Sequence, residues 1–217
     1  MAGEFAVIGL GQFGMALAKN LADQGQSVLV IDNNMEHIEE IKGEVESAVC
    51  VDSTDENALY GLRIEKISCC VVAIGANSLQ ASILTTALLS QMGVPRIIGR
   101  AVNALHARIL HAVGATEVVD PEQEMGLRLA RRLSQPSIGE QLQLGSATLA
   151  EVETPQAFVG KNLIELELRK RFRVSVLAIR RGDEVHVNPH ATDEIEAQDI
   201  LVLIGQPEAV KKIGSLA

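Results

Sequence analysis

Short apolar runs alternate with helical patterns through the first half of the chain. Six such runs stand out: Phe5–Ile8, Val28–Ile31, Ala48–Val51, Cys69–Ile74, Ile97–Ile98 and Glu117–Val119. Between the runs, apolar residues recur at helical spacing: Met35, Ile38 and Ile41; Ile83 and Ala87; Leu84 and Leu88. Strands separated by helical crossovers predict an α/β fold with a Rossmann-like, doubly wound parallel sheet.

The pattern changes after residue 137. An amphipathic helix predicted over 122–133 is broken by Ser134-Gln135-Pro136-Ser137, so we expect domains at 1–137 and 138–217. The second domain has four predicted strands, Ala147–Val152, Val174–Ile179, Glu184–Val187 and Ile200–Ile204, and two predicted helices, Asn162–Lys170 and Pro207–Ile213. With a hairpin turn at Arg181-Gly182-Asp183-Glu184, these elements predict a small α+β module.

The first strand runs directly into a glycine-rich turn, Gly9-Leu10-Gly11-Gln12-Phe13-Gly14, which is followed by a helix ending at Gln24-Gly25. In a GxGxxG turn, the first glycine allows the tight bend, the second lets the backbone approach a pyrophosphate, and the third lets helix and strand pack closely. Phosphates would lie at the helix N-terminus, where free N–H groups favour an anion.

An acidic residue ends the second strand, since Asp32 follows Gly14 by 18 residues. A carboxylate there accepts hydrogen bonds from the ribose hydroxyls of an adenine nucleotide and repels a 2′-phosphate, which favours NAD, ATP or ADP over NADP. The alternative is that Asp32 only caps the helix that begins near Asn33-Asn34-Met35.

Ligands of doubly wound sheets bind beyond the carboxyl ends of the strands, so the residues there are the candidate site. The candidates are Gly9, Gly11, Gln12, Phe13, Gly14, Asp32, Asn33, Asp52, Ser53, Thr54, Ile74, Gly75, Ala76, Asn77 and Arg100. Asp52 could accept from an adenine amine or could cap the helix predicted over 55–62. Arg100 could meet a phosphate, or form an ion pair with Asp120 or Glu122.

Composition narrows the function classes. Of the 217 residues, 47% are hydrophobic but only 2% are aromatic, which is typical of a Val/Ile/Leu core in a parallel sheet. The net charge of −9 and the scarcity of stacking aromatics argue against a nucleic-acid binder. With no long apolar segment and no signal-peptide pattern, the sequence predicts a cytoplasmic protein. We expect Cys50, Cys69 and Cys70 to be buried thiols.

The sequence lacks several common catalytic and metal-binding motifs. It has no GxxxxGK[ST], GxSxG, HExxH or paired CxxC, and Pro189 between His186 and His190 disfavours a helical two-histidine site. The C-terminal module offers no cluster of acid and base groups. An NAD-dependent oxidoreductase would need such a cluster, so the sequence favours a protein that senses the nucleotide, with a small NAD-dependent oxidoreductase as the alternative. A Rex-type transcription factor would need a basic helix-turn-helix, which the sequence lacks.

Several motifs together resemble the RCK proteins, the cytosolic regulators of potassium channels and of Ktr/Trk-type potassium uptake systems. They are GLGQFG, VLVID, VDSTDENAL, CCVVAIGAN, IIGRAVN and VDPEQEMGLRLA, followed by FVGKNLIEL, VLAIRRG and QDILVLIG. The resemblance covers nearly the whole chain and is greatest to stand-alone KtrA/TrkA-type subunits. It implies an RCK N domain followed by an RCK C domain, and a non-enzymatic subunit at the inner face of the membrane that gates a pore-forming potassium channel or transporter.

The resemblance also implies roles for individual residues. The glycine loop would hold phosphates, Asp32 the ribose and 52–54 the adenine, with Arg100 at the phosphate end. Glu122 would join a divalent cation site between subunits, and the chain would form homodimers assembled into an octameric ring. In ATP-responsive members an Arg stands in the glycine loop, where this chain has Gln12, so NAD(H) or AMP-type ligands gain weight.

In some relatives the dimerised C-terminal module binds cyclic di-AMP. The matching stretches here are Val176–Arg181 and Val187-Asn188-Pro189, which predict two strands beside a cleft with apolar walls and basic rims. Because neighbouring side chains alternate along a strand, only one of Arg180 and Arg181 is expected to point into it. The alternative is an ordinary exposed basic turn.

Overall fold

The computed structural model describes residues 4–75 and 78–217, which form two compact units that meet between Glu124 and Met125. The strands of the first unit are Glu4–Ile8 (β1), Ser27–Asp32 (β2), Ser47–Cys50 (β3), Cys69–Val72 (β4), Ile97–Arg100 (β5) and Glu117–Val119 (β6). Its helices are Gln12–Asp23 (α1), Met35–Ile41 (α2), Glu56–Gly61 (α3), Leu79–Gln91 (α4) and Ala104–Ala112 (α5). The next helix, Pro121–Ser134 (α6), contains the boundary.

The six strands form one parallel sheet in the order β3-β2-β1-β4-β5-β6. All four residues of β4 are buried, as expected for a central strand of a parallel sheet that is covered on both faces. After β1 the chain builds outwards through β2 and β3 and then returns to the other side of β1 with β4. The doubly wound sheet is confirmed, and its switch point lies between β1 and β4.

Element limits differ from the predicted ones where the chain approaches the glycine loop. The strand predicted to reach Ile74 ends at Val72, because the following residues leave the sheet to pack on Gly9. The strand predicted to end at Ile98 extends to Arg100, so Arg100 is the last residue of β5 and does not follow it.

Helix α4 buries polar residues that the apolar spacing did not predict. Its buried residues are Ser82, Thr85, Thr86 and Leu89, whereas Leu84 is exposed. The hydroxyls bond locally: Thr86 Oγ1 donates to the Ser82 carbonyl, and Thr85 Oγ1 lies 2.8 Å from Ser53 Oγ. The Thr85 and Thr86 hydroxyls are thus satisfied away from water, and the periodicity of apolar residues did not predict this buried polar face. Of the predicted apolar positions, Ile83 and Leu88 pack partly buried against the core.

The second unit has a five-stranded antiparallel sheet. Its strands are Ile138–Leu144 (β7), Ala147–Glu153 (β8), Ser175–Arg181 (β9), Glu184–Val187 (β10) and Ile200–Gly205 (β11), and its helices after α6 are Leu163–Leu166 (α7), Leu168–Phe172 (α8) and Pro207–Gly214 (α9). The strand order is β10-β9-β11-β8-β7. On its buried face Leu201 lies opposite Val152 and Leu203 opposite Ala150, and these residues share a core with α9.

Two features of this unit were not predicted. Strand β7 was missed because only Ile138 is buried in an otherwise exposed, polar edge strand. The single helix predicted over 162–170 is two short helices, α7 and α8, separated by Glu167 with φ +44°. Leu166 and Leu168 are both buried, and two residues two positions apart lie on nearly opposite faces of a continuous helix. The break turns both towards the core.

Among residues 4–75 and 78–217, no helix is both long and apolar enough to cross a membrane.

Candidate functional site

A cavity of about 400 Å³ opens at the switch point of the parallel sheet. Eight of the predicted site residues line it: Gly9, Gly11, Asp32, Asn33, Asp52, Ser53, Ile74 and Gly75. Gln12, Phe13, Gly14, Thr54 and Arg100 are not part of its lining. Ala76 and Asn77 lie outside the described residues. The carboxyl ends of β1, β2, β3 and β4 thus bring most of the predicted groups to one place.

The glycine loop has the geometry that its spacing predicts. Gly9 has φ +95°, a conformation that L side chains rarely adopt, and a Cβ there would lie 3.0 Å from the Ile74 nitrogen. A Cβ on Gly14 would lie only 1.9 Å from the Gly9 carbonyl oxygen. Gly11, the N-cap of α1, has no atom within 4 Å of its Cβ position and lines the cavity. Gly14 therefore serves helix packing, and Gly11 leaves room at the N-terminus of α1.

Asp32 holds the loop to the sheet. Its Oδ2 accepts from Leu10 N at 2.5 Å and its Oδ1 accepts from Asn34 N at 2.7 Å. The cap of α2 is Asn34, whose side chain accepts from Glu36 N at 2.9 Å. The alternative role of Asp32 as the helix cap is therefore wrong, and Asp32 lines the cavity.

The segment after β3 is preorganised by its own side chains. Asp52 Oδ1 accepts from Thr54 N at 2.9 Å and from Thr54 Oγ1 at 2.7 Å, and these bonds lower the pKa of Asp52. Asp55, not Asp52, caps α3, accepting from Asn57 N at 2.9 Å. The alternative that made Asp52 a helix cap is wrong, and Ser53 is anchored to Thr85 of α4.

Arg100 forms an ion pair with Glu122, as one of its two predicted roles required. Its guanidinium also lies 5.8 Å from the ring centroid of Phe13, and one of its nitrogens is 3.6 Å from the Cβ position of Gly75, which lines the cavity. The hydrogen bond from Arg100 lowers the pKa of Glu122. Only 15% of the Arg100 side chain is exposed, so the charge is held beside the glycine loop.

The cavity also contains residues that sequence reasoning missed, among them Asn34, His37 and Ser78. His37 stands in the first turn of α2, with Nδ1 3.3 Å from Asp32 Oδ1. The sequence signal for this residue was its polar character and its position, five residues after Asp32 at the end of β2. The rule that places ligands at strand ends does not include His37, because His37 lies on a helix.

Two further expectations concern a metal site and the cysteine thiols. Within the described ranges, no group of three or more His, Cys, Asp or Glu side chains could hold a metal ion. A cation shared between subunits through Glu122 stays a prediction. Cys69 and Cys70 are buried, as predicted, and burial raises the pKa of Cys70 to about 12. Cys50 is only partly buried.

The second unit contains a cavity of about 430 Å³ between α7, α8 and the loop after β10. Its walls include Leu163, Ile164 and Pro189, and Arg169 and Lys170 supply the basic groups.

Neither Arg180 nor Arg181 lines this cavity within one subunit. The orientation of either side chain into a cleft between two copies stays a prediction. Arg180 bonds Glu151 at 3.3 Å. Arg181 binds the buried carboxylate of Asp199 through two hydrogen bonds of 2.8 Å. A buried carboxylate requires a cation, and Arg181 is the side chain that the strand register brings to it.

These features define a class: a dinucleotide-binding type of α/β unit followed by an antiparallel α+β module. The chain matches the TrkA-N domain over residues 5–121 and the TrkA-C domain over residues 148–217. It is 38% identical over 203 residues to Ktr system potassium uptake protein C of Bacillus subtilis (strain 168), covering 93% of this chain and 91% of that protein. It is 34% identical over 215 residues to Ktr system potassium uptake protein A of Vibrio alginolyticus, covering 98% and 97%.

A solved structure shows the same fold. The GsuK channel bound to NAD superposes with a TM-score of 0.68 at 19% identity, covering 100% of this chain. Our chain spans 39% of that channel's chain. From the domain matches and the two Ktr relatives, the chain belongs to the family of proteins with TrkA-N and TrkA-C (RCK) domains.

Proposed function

We propose that this chain is a cytosolic regulatory subunit of a Ktr/Trk-type potassium uptake system, held at the inner face of the membrane by its pore-forming partner. Two relatives at 34% and 38% identity, matched over more than nine-tenths of their lengths, carry the name of Ktr potassium uptake proteins. Both characteristic domains are present in the same order. In this role the nucleotide is sensed and not consumed.

The observation that carries the nucleotide part is the cavity at the switch point, where Asp32 lies beside the N-terminus of α1. An adenine nucleotide, NAD/NADH or ATP/ADP, fits this polarity because α1 favours phosphates and the carboxylate accepts from ribose hydroxyls. A 2′-phosphate would meet the charge of Asp32, which disfavours NADP.

The remaining residues extend this proposal. Residues 52–54 would border the adenine, and Arg100 would turn from Glu122 towards a terminal phosphate. Arg100 lies beside both Gly75 and α6. It would pair with Glu122 of α6 when the site is empty and with a phosphate when a nucleotide is bound, so nucleotide binding would change a contact of the helix that leads out of the first unit.

Assembly completes the proposal. Residues 1–137 would be the nucleotide-binding RCK N domain and residues 138–217 the regulatory and dimerisation RCK C domain. The subunit would form homodimers and an octameric ring, with a divalent cation at Glu122. The apolar cavity with Arg169 and Lys170 supports cyclic di-AMP as a second ligand.

Thermal-shift titration of the full chain against ATP, ADP, NAD, NADH and NADPH tests the nucleotide site. Asp32→Ala removes a charge-assisted contact worth about 1.5–3 kcal/mol, so affinity should fall about ten- to hundredfold. Asp23→Ala, at an exposed acid at the end of α1, is the matched control and should bind normally. Unchanged affinity in Asp32→Ala, measured by calorimetry, would refute the placement.

The regulatory role is tested in vesicles that contain the membrane subunit of a Ktr-type system. Potassium flux should depend on this chain and change with the bound nucleotide. Steady consumption of NADH with a carbonyl acceptor would instead establish the oxidoreductase alternative.

A further inference from the structure

His37 is the nearest titratable side chain to the carboxylate assigned to the ribose. Its Nδ1 lies 3.3 Å from Asp32 Oδ1, on the cavity side of α2. The nitrogen is buried, and no residue in the described ranges makes an aligned hydrogen bond to it. A buried ring nitrogen without a partner is a position that a ligand hydroxyl or a proton would satisfy.

Asp32 has few lone pairs to spare. An ionised carboxylate offers about four acceptor positions. Leu10 N and Asn34 N occupy one on each oxygen, and the Asp32 side chain is only 9% exposed. A ribose bound through both hydroxyls needs the two remaining acceptor positions of the carboxylate. If His37 Nδ1–H donates to Oδ1, only one acceptor position is left for the ribose.

We propose that His37 is a specificity-determining residue of the nucleotide site, and that its protonation sets both nucleotide affinity and the discrimination against NADP. The neutral ring with its proton on Nε2 leaves Asp32 free and presents Nδ1 as an acceptor to a ribose hydroxyl. The protonated ring pairs with Asp32, competes with the ribose, and cancels the charge that repels a 2′-phosphate. This inference rests on the proposed nucleotide site and specifies its regulation.

The other charged and titratable groups around α2 do not supply a competing switch. They are Asp32 on β2, Cys50 on β3, Asp52 after β3, Glu36, Glu39, Glu40 and Lys42 on or beside α2, and Lys19 on α1. Lys19 is paired with Glu40 and Glu44 at 3.8 and 3.1 Å, and Lys42 pairs with Glu39. The cavity lining itself contains three titratable groups, Asp32, Asp52 and His37. Of these three groups, only His37 becomes a cation when it takes up a proton.

The test is calorimetric titration of the full chain with NAD and NADP at pH 8.0 and pH 6.0. Because the protonated ring competes with the ribose for Asp32, NAD should bind more weakly at pH 6.0 than at pH 8.0. His37→Gln should remove this pH dependence. His190→Gln, at an exposed histidine of the second unit, is the matched control and should behave as the native chain.

A second readout does not depend on any variant. Repeating the titration near pH 6.5 in two buffers of different ionisation enthalpy should show that NAD binding releases protons in the native chain. The preference for NAD over NADP should also narrow as the pH falls from 8.0 to 6.0.

The possible results distinguish an error about the nucleotide site from an error about the role of His37. If no adenine nucleotide binds at pH 8.0, the nucleotide site itself is wrong. If NAD binds at pH 8.0 but without proton release and with the same pH dependence in His37→Gln as in the native chain, the role of His37 is wrong and the nucleotide site stands.

Discussion

Replacing Gly14 or Gly11 at the start of α1 by alanine should have different effects: Gly14→Ala should lower the stability of the fold, and Gly11→Ala should lower the affinity for a nucleotide. The Cβ of Gly14→Ala would lie 1.9 Å from the Gly9 carbonyl oxygen and 3.2 Å from Ala73 Cβ. Since real Cβ contacts are essentially never shorter than 3.0 Å, α1 must move by more than 1 Å from β1. By contrast, Gly11→Ala meets no atom within 4 Å, and its φ of −66° suits alanine.

The magnitudes follow from these contacts. Overpacking against backbone costs about 3 kcal/mol, and the better helix propensity of alanine returns about 1 kcal/mol, so Gly14→Ala should lose about 2 kcal/mol of unfolding free energy. That loss lowers the Tm by roughly 4–8 °C. For Gly11→Ala, the weaker N-cap and the stiffer unfolded chain nearly cancel, so the Tm should change by less than about 2 °C.

Nucleotide binding should show the reverse contrast for Gly11→Ala. The new methyl group occupies the approach of the pyrophosphate, and a tenfold or greater loss of affinity, about 1.4 kcal/mol, is expected from calorimetry. Gly43→Ala, which also meets no atom within 4 Å but does not line the cavity, is the control. If Gly11→Ala keeps native affinity, phosphates do not pass over Gly11 and the reasoning fails.

Three further predictions concern the second unit and assembly. Arg181 lowers the pKa of the buried Asp199, so this carboxylate stabilises the native state above its unfolded pKa of about 3.9 and less as the pH falls through the lower folded value. Asp199→Asn should therefore cost about 2 kcal/mol in chemical denaturation at pH 7, and an equal deficit at pH 2 would contradict the ion-pair origin. Light scattering at micromolar concentration should give at least a dimer, whereas a mass near 23.2 kDa would count against it. Titration of the full chain with cyclic di-AMP should give heat that Arg169→Ala weakens and Arg180→Ala leaves unchanged; no heat at ~100 µM ligand, equivalent to binding weaker than about 5.5 kcal/mol, would remove this ligand.

Short-range sequence patterns were sufficient to predict the elements whose structure depends on residues close together in the chain. The β1 strand, the glycine turn, α1 and Asp32 were located from the sequence because each depends on residues close in the chain. The hairpin at Gly182, with φ +60°, was confirmed for the same reason. Strand β7 was missed because it is an exposed edge strand in which Ile138 is the one buried residue.

By itself, the sequence determined the order of strands and helices in the first unit and the presence of two kinds of domain, and it predicted the turn at which a nucleotide would bind. Periodicity and glycine spacing act within one or two turns of chain, so they need no knowledge of distant neighbours. Only the tertiary structure decided that Arg181 pairs with Asp199 and that His37 reaches Asp32. It also showed that Thr85 on the buried face of α4 meets Ser53. These pairings depend on strand register and on the rotation of each helix about its axis, and packing of the whole unit determines both.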